Sequence, residues 1–193
     1  LQQMARDQTI TDVELLHVLM LGEVSDLFTR ETCRRITHRV IFNGPHSRTA
    51  MNNGWARYQL MHLSDIPRQI KSFIRPNVAL ISVAGPDNGG NYSLGTTVEG
   101  ALAAVKSARE SNGVVIAEHN ARMPFILGST IHESMIDYLI DADYDLPASP
   151  VKKPDEKAVR IARIIAQRYI EDGATLQYGI GEVPEAVTQA ILD

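Results

Sequence analysis

Cysteine is nearly absent: Cys33 is the only one in 193 residues. One thiol closes no internal disulfide, and such usage suits a reducing cytosol. No apolar run approaches the roughly 20 residues of a membrane-spanning helix. The opening Leu1-Gln2-Gln3-Met4-Ala5-Arg6-Asp7-Gln8 has neither the apolar stretch nor the cleavage site of a signal peptide, and lacking an initiator Met it reads as a cut start. Histidine occurs as His17, His38, His46, His62, His119 and His132, never as His-x-His, as His-x-x-x-His or beside Cys33, so no metal site is expected. There is no Gly-x-x-x-x-Gly-Lys-Ser/Thr phosphate loop and no Gly-x-Ser-x-Gly around Ser93. Positive charge is not in excess either. The net charge of −4 gives no general reason to bind nucleic acid.

What is present is a chain with 44% hydrophobic residues, enough for the core of one domain or one large α/β unit. Val13 to Leu21 is apolar nearly throughout, as a doubly covered strand would be, and Gly22 breaks it. Arg30 to Arg39 reads as a helix and Val40 to Phe42 as a short strand ending at Asn43-Gly44-Pro45. Thr49 to Asn52 reads as one helical turn, and Gln59 to Leu63 as a further strand. Ser64 or Asp65 then caps a helix with Pro67 early in it. Val78 to Val83 is the clearest buried strand, followed by a polar, glycine-rich loop from Ala84 to Gly95. Val98 to Arg109 is spaced as a helix, Val114 to Glu118 as a strand, and Asp137 to Asp141 as a shorter one. Ala148 to Pro154 reads as a connector. Asp155 to Ile170 is an amphipathic helix with a stripe at Val159, Ala162, Ile165, Ala166 and Tyr169. Strands alternating with helices argue an α/β fold with a largely parallel sheet flanked by helices. Loops on the carboxyl edge of such a sheet are where ligands bind.

Several side chains admit two readings. The arginines 30, 34, 35, 39, 48 and 57 face only one acid, Glu31, in their stretch. They are either a phosphate-attracting face or, the favoured reading, a solvated helix with its flanks. Cys33 in that setting is either a thiol of lowered pKa or a buried structural residue. His17 and His62 fall in predicted strands and read as hydrogen-bonded structural residues, while His119, beside Asn120 at a strand end, is the better pocket candidate.

The most informative stretch is 174–185. Ala174 to Tyr178 alternates as a strand, meets Gly179-Ile180-Gly181, and leads to Pro184, which a first helical turn accepts because its missing N–H would be unpaired there anyway. Strand, glycine turn and helix N-terminus can aim several backbone N–H groups at one anionic or carbonyl oxygen. The third glycine of a dinucleotide fingerprint is absent, its place taken by Pro184. A tight turn with no ligand, and a nucleotide- or cofactor-binding module, remain the alternatives.

Asp172-Gly173-Ala174-Thr175-Leu176-Gln177-Tyr178-Gly179-Ile180-Gly181-Glu182-Val183-Pro184 closely resembles the signature of the acetyl-CoA hydrolase/transferase family, which includes 4-hydroxybutyrate and butyrate:acetate CoA-transferases. Val78 to Gly95 is similar to that family's strand and Pro-Asp…Ser-Leu-Gly loop. Val115 to Pro124 resembles its Ile-Ala-Glu-x-Asn-x-x-Met-Pro, and Ile131-His132-Glu133-Ser134 with Ile136-Asp137 its Ile-His-x-Ser…Ile-Asp. Leu21-Gly22-Glu23 and Leu63 to Pro67 fit as well. The resemblance implies a CoA-transferase-like fold of Rossmann-like layers, with residues 1–193 forming most of the first of two similar halves and lacking its opening strand and helix. It implies covalent catalysis by a glutamate beyond Asp193, so no catalytic nucleophile is expected in this chain and the chain alone is expected to be inactive. The backbone of Gly179, Ile180, Gly181, Glu182 and Val183 would contact CoA near its thioester. CoA is a substrate here, with no permanently bound cofactor. The implied partners are an acyl-CoA, a small carboxylic acid, the second half of the same protein and further copies of it, in the cytoplasm, with neither nucleic acid nor membrane. Two departures bear on the acyl group. Glu182 stands where many relatives carry a small residue, and Asn88-Gly89 replaces a residue-His pair.

Overall fold

Ile36 to Val40 alternates strictly, with Ile36, His38 and Val40 buried and Thr37 and Arg39 partly exposed. That alternation makes it the middle strand of a parallel sheet, β2 (Ile36–Val40), between β1 (Val13–His17) and β3 (Arg57–Tyr58). The helix expected over 30–39 therefore stops early, as α2 (Arg30–Arg35), started by the Thr29 hydroxyl, which accepts from the Thr32 amide at 3.2 Å. β1 ends at His17, not Leu21, because its five residues pair with the five of β2, and Leu19 and Leu21 are exposed beyond the ladder. The Asn43-Gly44-Pro45 turn opens a helix, α3 (Pro45–Asn52), longer than the single turn expected. The strand expected at 59–63 is not formed: the two-residue β3 ends just before it, and 63–65 is a helical turn. α1 (Gln2–Arg6), α2 and α3 flank this sheet, and Ala5, Leu27, Phe28, Ile36, Val40 and Ala50 form its core.

The structure, a computed structural model, describes residues 1–148 and 153–192. It forms two compact units, Leu1–Pro147 and Ala148–Asp193. Of the connector expected at 148–154, residues 149–152 lie outside the described residues.

The second sheet of the first unit runs β4 (Val78–Val83), β6 (Val114–Asn120), β8 (Tyr138–Ala142), all parallel. An antiparallel pair, β5 (Asn91–Ser93) with β7 (Thr130–His132), adjoins it through the Ala84–Ser93 bridge. α4 (Ile66–Gln69) precedes β4. Neither Ser64 nor Asp65 caps it: Asp65 pairs with Arg68 at 3.3 Å instead. α5 (Ala101–Glu110) crosses from β4 to β6 and lays Val105 and Ala108 on Ala79, Ile81, Val83, Val115 and Ala117. Each large side chain in that contact contributes about 1.5–3 kcal/mol over exposure. Gly113 makes the crossing possible, since a Cβ there would stand 2.1 Å from the Asn77 carbonyl oxygen. The architecture is thus the expected α/β one, with parallel sheets and flanking helices.

The second unit is a helix pair, α6 (Glu156–Tyr169) and α7 (Glu182–Leu192), joined through 170–181. Ala158, Ala162, Ala186 and Val187 are its buried contact. The expected stripe is rotated accordingly. Ala158 is inside, and Tyr169 is 73% exposed, because two helices this close present small residues to each other.

Candidate functional site

The loop between α6 and α7 holds the glycine turn. Ala174 to Tyr178 forms no regular element and belongs to no sheet among the described residues, so the strand expected there is not formed. A strand needs a neighbour to pair its amides, and all of 171–180 is exposed. The expectation that this loop opens on a sheet's carboxyl edge loses its sheet with the strand. Gly181 has φ +141°, a conformation open to glycine and strained for other residues. Its carbonyl accepts from the Glu185 amide at 3.1 Å, which starts α7, with Pro184 in the first turn as expected.

The amides of Gly179, Ile180, Gly181, Glu182 and Val183 donate to no acceptor among the described residues. Ile180 is fully exposed. Beside the turn lies a mostly apolar hollow of about 310 Å³, lined by Ile165, Tyr169, Leu176, Tyr178, Val183 and Val187 among others. Glu182 turns its carboxylate to α6, where Oε1 accepts from the Asp155 amide at 2.5 Å.

The family-like motifs of the first unit are different in kind, because their polar groups are already paired. Asp87 Oδ1 accepts from the Gly89 and Asn91 amides, both at 2.8 Å, and the Asn91 bonds hold its carboxyl below the usual range. Ser93 is fully buried. Its hydroxyl donates to the Ile126 carbonyl and accepts from the Ile126 and Gly95 amides, which excludes it as a nucleophile. Asn120 binds the Tyr144 carbonyl at 2.9 Å and the Arg122 amide at 3.0 Å. Asp137 accepts from Arg109 at 2.7 Å and from the Val115 amide at 2.8 Å, and these bonds lower its pKa. Asn88 and Gly89 sit at the exposed loop tip.

His119 lies within β6, with Nδ1 3.1 Å from Asp141 Oδ1 and its ring edge-on to Tyr92. Near it is a pair that sequence reading missed: the Tyr144 hydroxyl donates to Glu118, and that bond pushes the Tyr144 pKa up to about 12. The available signal was a carboxylate closing the apolar run Val114 to Ala117.

The remaining candidates prove structural. Arg35 donates to the carbonyls of Ala5, Asp7 and Ile10, each at 2.8 Å, and Arg39 pairs with Glu14, so these two are not free for phosphate. Burial raises the Cys33 thiol, against the lowered value its arginine neighbours suggested. His17 is not the hydrogen-bonded residue expected. Its ring nitrogens and those of His38 are buried and make no hydrogen bond among the described residues, and the two rings pack edge-on at 5.7 Å. Burial brings His17 down to about 4, His38 adds to that, and the nearby Val18 backbone opposes it only in part. His62 lies outside any strand.

Comparison with known proteins agrees with the motifs. Residues 2–151 match the acetyl-CoA hydrolase/transferase N-terminal domain, so the turn lies beyond that match. The chain is 39% identical over 180 residues to the 4-hydroxybutyrate coenzyme A transferase of Clostridium kluyveri, covering 91% of this chain and 40% of that protein. Its backbone is similar to the crystal structure of RipA from Yersinia pestis (TM-score 0.86, 25% identity, 97% of this chain and 44% of that one). It is also similar to the 4-hydroxybutyrate CoA-transferase of Porphyromonas gingivalis (TM-score 0.64, 27% identity, 94% and 47%). The chain therefore spans less than half the length of these relatives. Among the described residues no helix is long and apolar enough to cross a membrane.

Proposed function

The chain belongs to the acetyl-CoA hydrolase/transferase family, and from that membership we propose that it is the CoA-handling first part of a longer acyl-CoA:carboxylate CoA-transferase. In this reading a glutamate in the remainder of the protein attacks the acyl-CoA thioester. An acyl-glutamyl anhydride forms and then a glutamyl-CoA thioester, before CoA passes to a carboxylic acid. Acetyl-CoA hydrolysis is the variant in which water intercepts the acyl group.

The contribution of this chain is electrostatic. As the thioester carbonyl is attacked its oxygen gains negative charge, and fixed N–H donors stabilise that charge at no cost of reorganisation during the reaction. The observation that carries the reading is the set of unengaged amides from Gly179 to Val183 at the start of α7, whose dipole adds positive potential there. Glycine at 179 leaves the backbone open to a close-approaching thioester. The apolar hollow beside it suits the methylene part of an acyl-CoA.

Gly179→Ala in the full-length enzyme tests this cleanly. The added Cβ would meet only Pro184 Cγ, at 3.9 Å, an ordinary contact, so the fold accepts it. Turnover is expected to fall about 100-fold, because the methyl keeps every N–H but holds the thioester away from them, as a misplacement of about 1 Å does, with thermal stability unchanged. Turnover within a factor of two of the parent would refute the assignment.

A further inference from the structure

One side chain ties together the N-termini of the two helices in the second unit. Glu182, the first residue of α7, accepts from the Asp155 amide at 2.5 Å. Asp155 in turn starts α6, its Oδ1 accepting from the Ala158 amide at 2.7 Å. A carboxylate between two helix N-termini faces the positive ends of both dipoles. The turn itself has few other attachments. Gln177 Nε2 donates only to the adjacent Tyr178 carbonyl, Ile180 is fully exposed, and the Gly181 carbonyl accepts from within α7. Among the described residues between Gly179 and Val183, the Glu182 side chain is therefore the one polar link from the turn to the other helix.

We propose that Glu182 is a positioning residue. By accepting from the Asp155 amide it braces the 179–183 turn against the start of α6 and keeps its own negative charge engaged there, not loose beside an oxygen that must also become negative. The inference rests on the reading of the turn as the oxygen-receiving site. Without the brace, the same carboxylate would compete with the developing oxyanion for the turn's amides.

Three substitutions at this position in the full-length enzyme separate reach from charge. Glu182→Gln keeps an acceptor of equal reach, Glu182→Asp keeps the charge but is one methylene short, and Glu182→Ala removes both. With rates taken per titrated active site, kcat is expected to fall roughly 10-fold in the Asp and Ala variants, as a misplaced catalytic contact does. KM for acyl-CoA should move less than 3-fold, and Gln should regain more than half of the loss. In the same proteins, hydrogen exchange at the Asp155 amide, the one Glu182 holds, quickens for Asp and Ala but not for Gln. Parental exchange at that amide in Glu182→Ala, or an Asp variant as active as the parent, overturns the brace. The brace and the parent reading can fail separately. Fast exchange in Glu182→Ala alongside a fully active Gly179→Ala would leave the brace standing and remove the oxyanion role. Unchanged exchange alongside an inactive Gly179→Ala would do the reverse.

Discussion

The loop from Ala84 to Gly95 and the turn from Gly179 to Val183 look alike as sequence: both are glycine-rich and both follow a strand-like stretch. As structure they are opposites. The first closes on itself, with Asp87 collecting the Gly89 and Asn91 amides and buried Ser93 collecting those of Gly95 and Ile126. The second leaves five successive residues whose amides find no acceptor among the described residues. Glycine content reports only that backbone can be approached. Whether it is a site depends on whether its donors are already satisfied, because a paired amide has nothing left to offer a ligand.

The largest effect that would sharpen this contrast lies in the closed unit. His17 is neutral in the folded state, near pKa 4, against an ordinary 6.5. As pH falls below 6.5 the unfolded chain takes up a proton that the folded one refuses. The first unit should therefore lose about 3 kcal/mol by pH 4, all of it restored above 6.5. Trp55, the only tryptophan, packs against this core and reports its unfolding in urea. An unfolding midpoint that stays flat from pH 7 to 4.5 would break the prediction.

A smaller effect comes from adding the same methyl to both glycine loops. At Gly95, φ is +55° and a Cβ would fall 2.4 Å from the sulfur of buried Met123, so Gly95→Ala should cost about 2–3 kcal/mol of unfolding free energy. Gly179→Ala should cost less than about 0.5 kcal/mol, like a surface change away from special geometry. Equal costs would mean that the two loops do not differ as described. The smallest effect is local. The lowered Asp87 carboxyl keeps its loop bonds above the ordinary carboxylate pKa and loses them as pH falls through its own lower value. The Gly89 and Asn91 amide resonances should therefore shift only below about pH 4.

Legibility followed the number of partners each segment requires. Val78 to Val83 was readable to the residue because an apolar run bounded by turns can satisfy itself only in a buried sheet. The bounds of α6, expected over Asp155 to Ile170, were readable to within a residue for a similar reason, since a helix start is set by contacts a few residues away. Ile36 to Val40 was missed because arginines on either side favour a helix locally, and only β1 alongside makes the alternation decisive. Ala174 to Tyr178 failed in the other direction. Its alternation is a strand's, yet no described strand lies beside it. At the proposed site, the tight turn into α7 was legible from Gly179, Gly181 and Pro184. The Glu182 link to Asp155 was not, being a contact across 27 positions.

The order of short-range signals by itself determined the family, the alternation of strands with helices, and the place where glycine frees a backbone. These are properties of neighbours in the chain, where φ preference, capping and polarity act within a few residues. Tertiary structure alone decided which polar groups are already paired, which histidines are sealed away, and that the Glu182 carboxylate faces a second helix. Each of those depends on what a distant segment brings alongside, and on the water its arrival displaces.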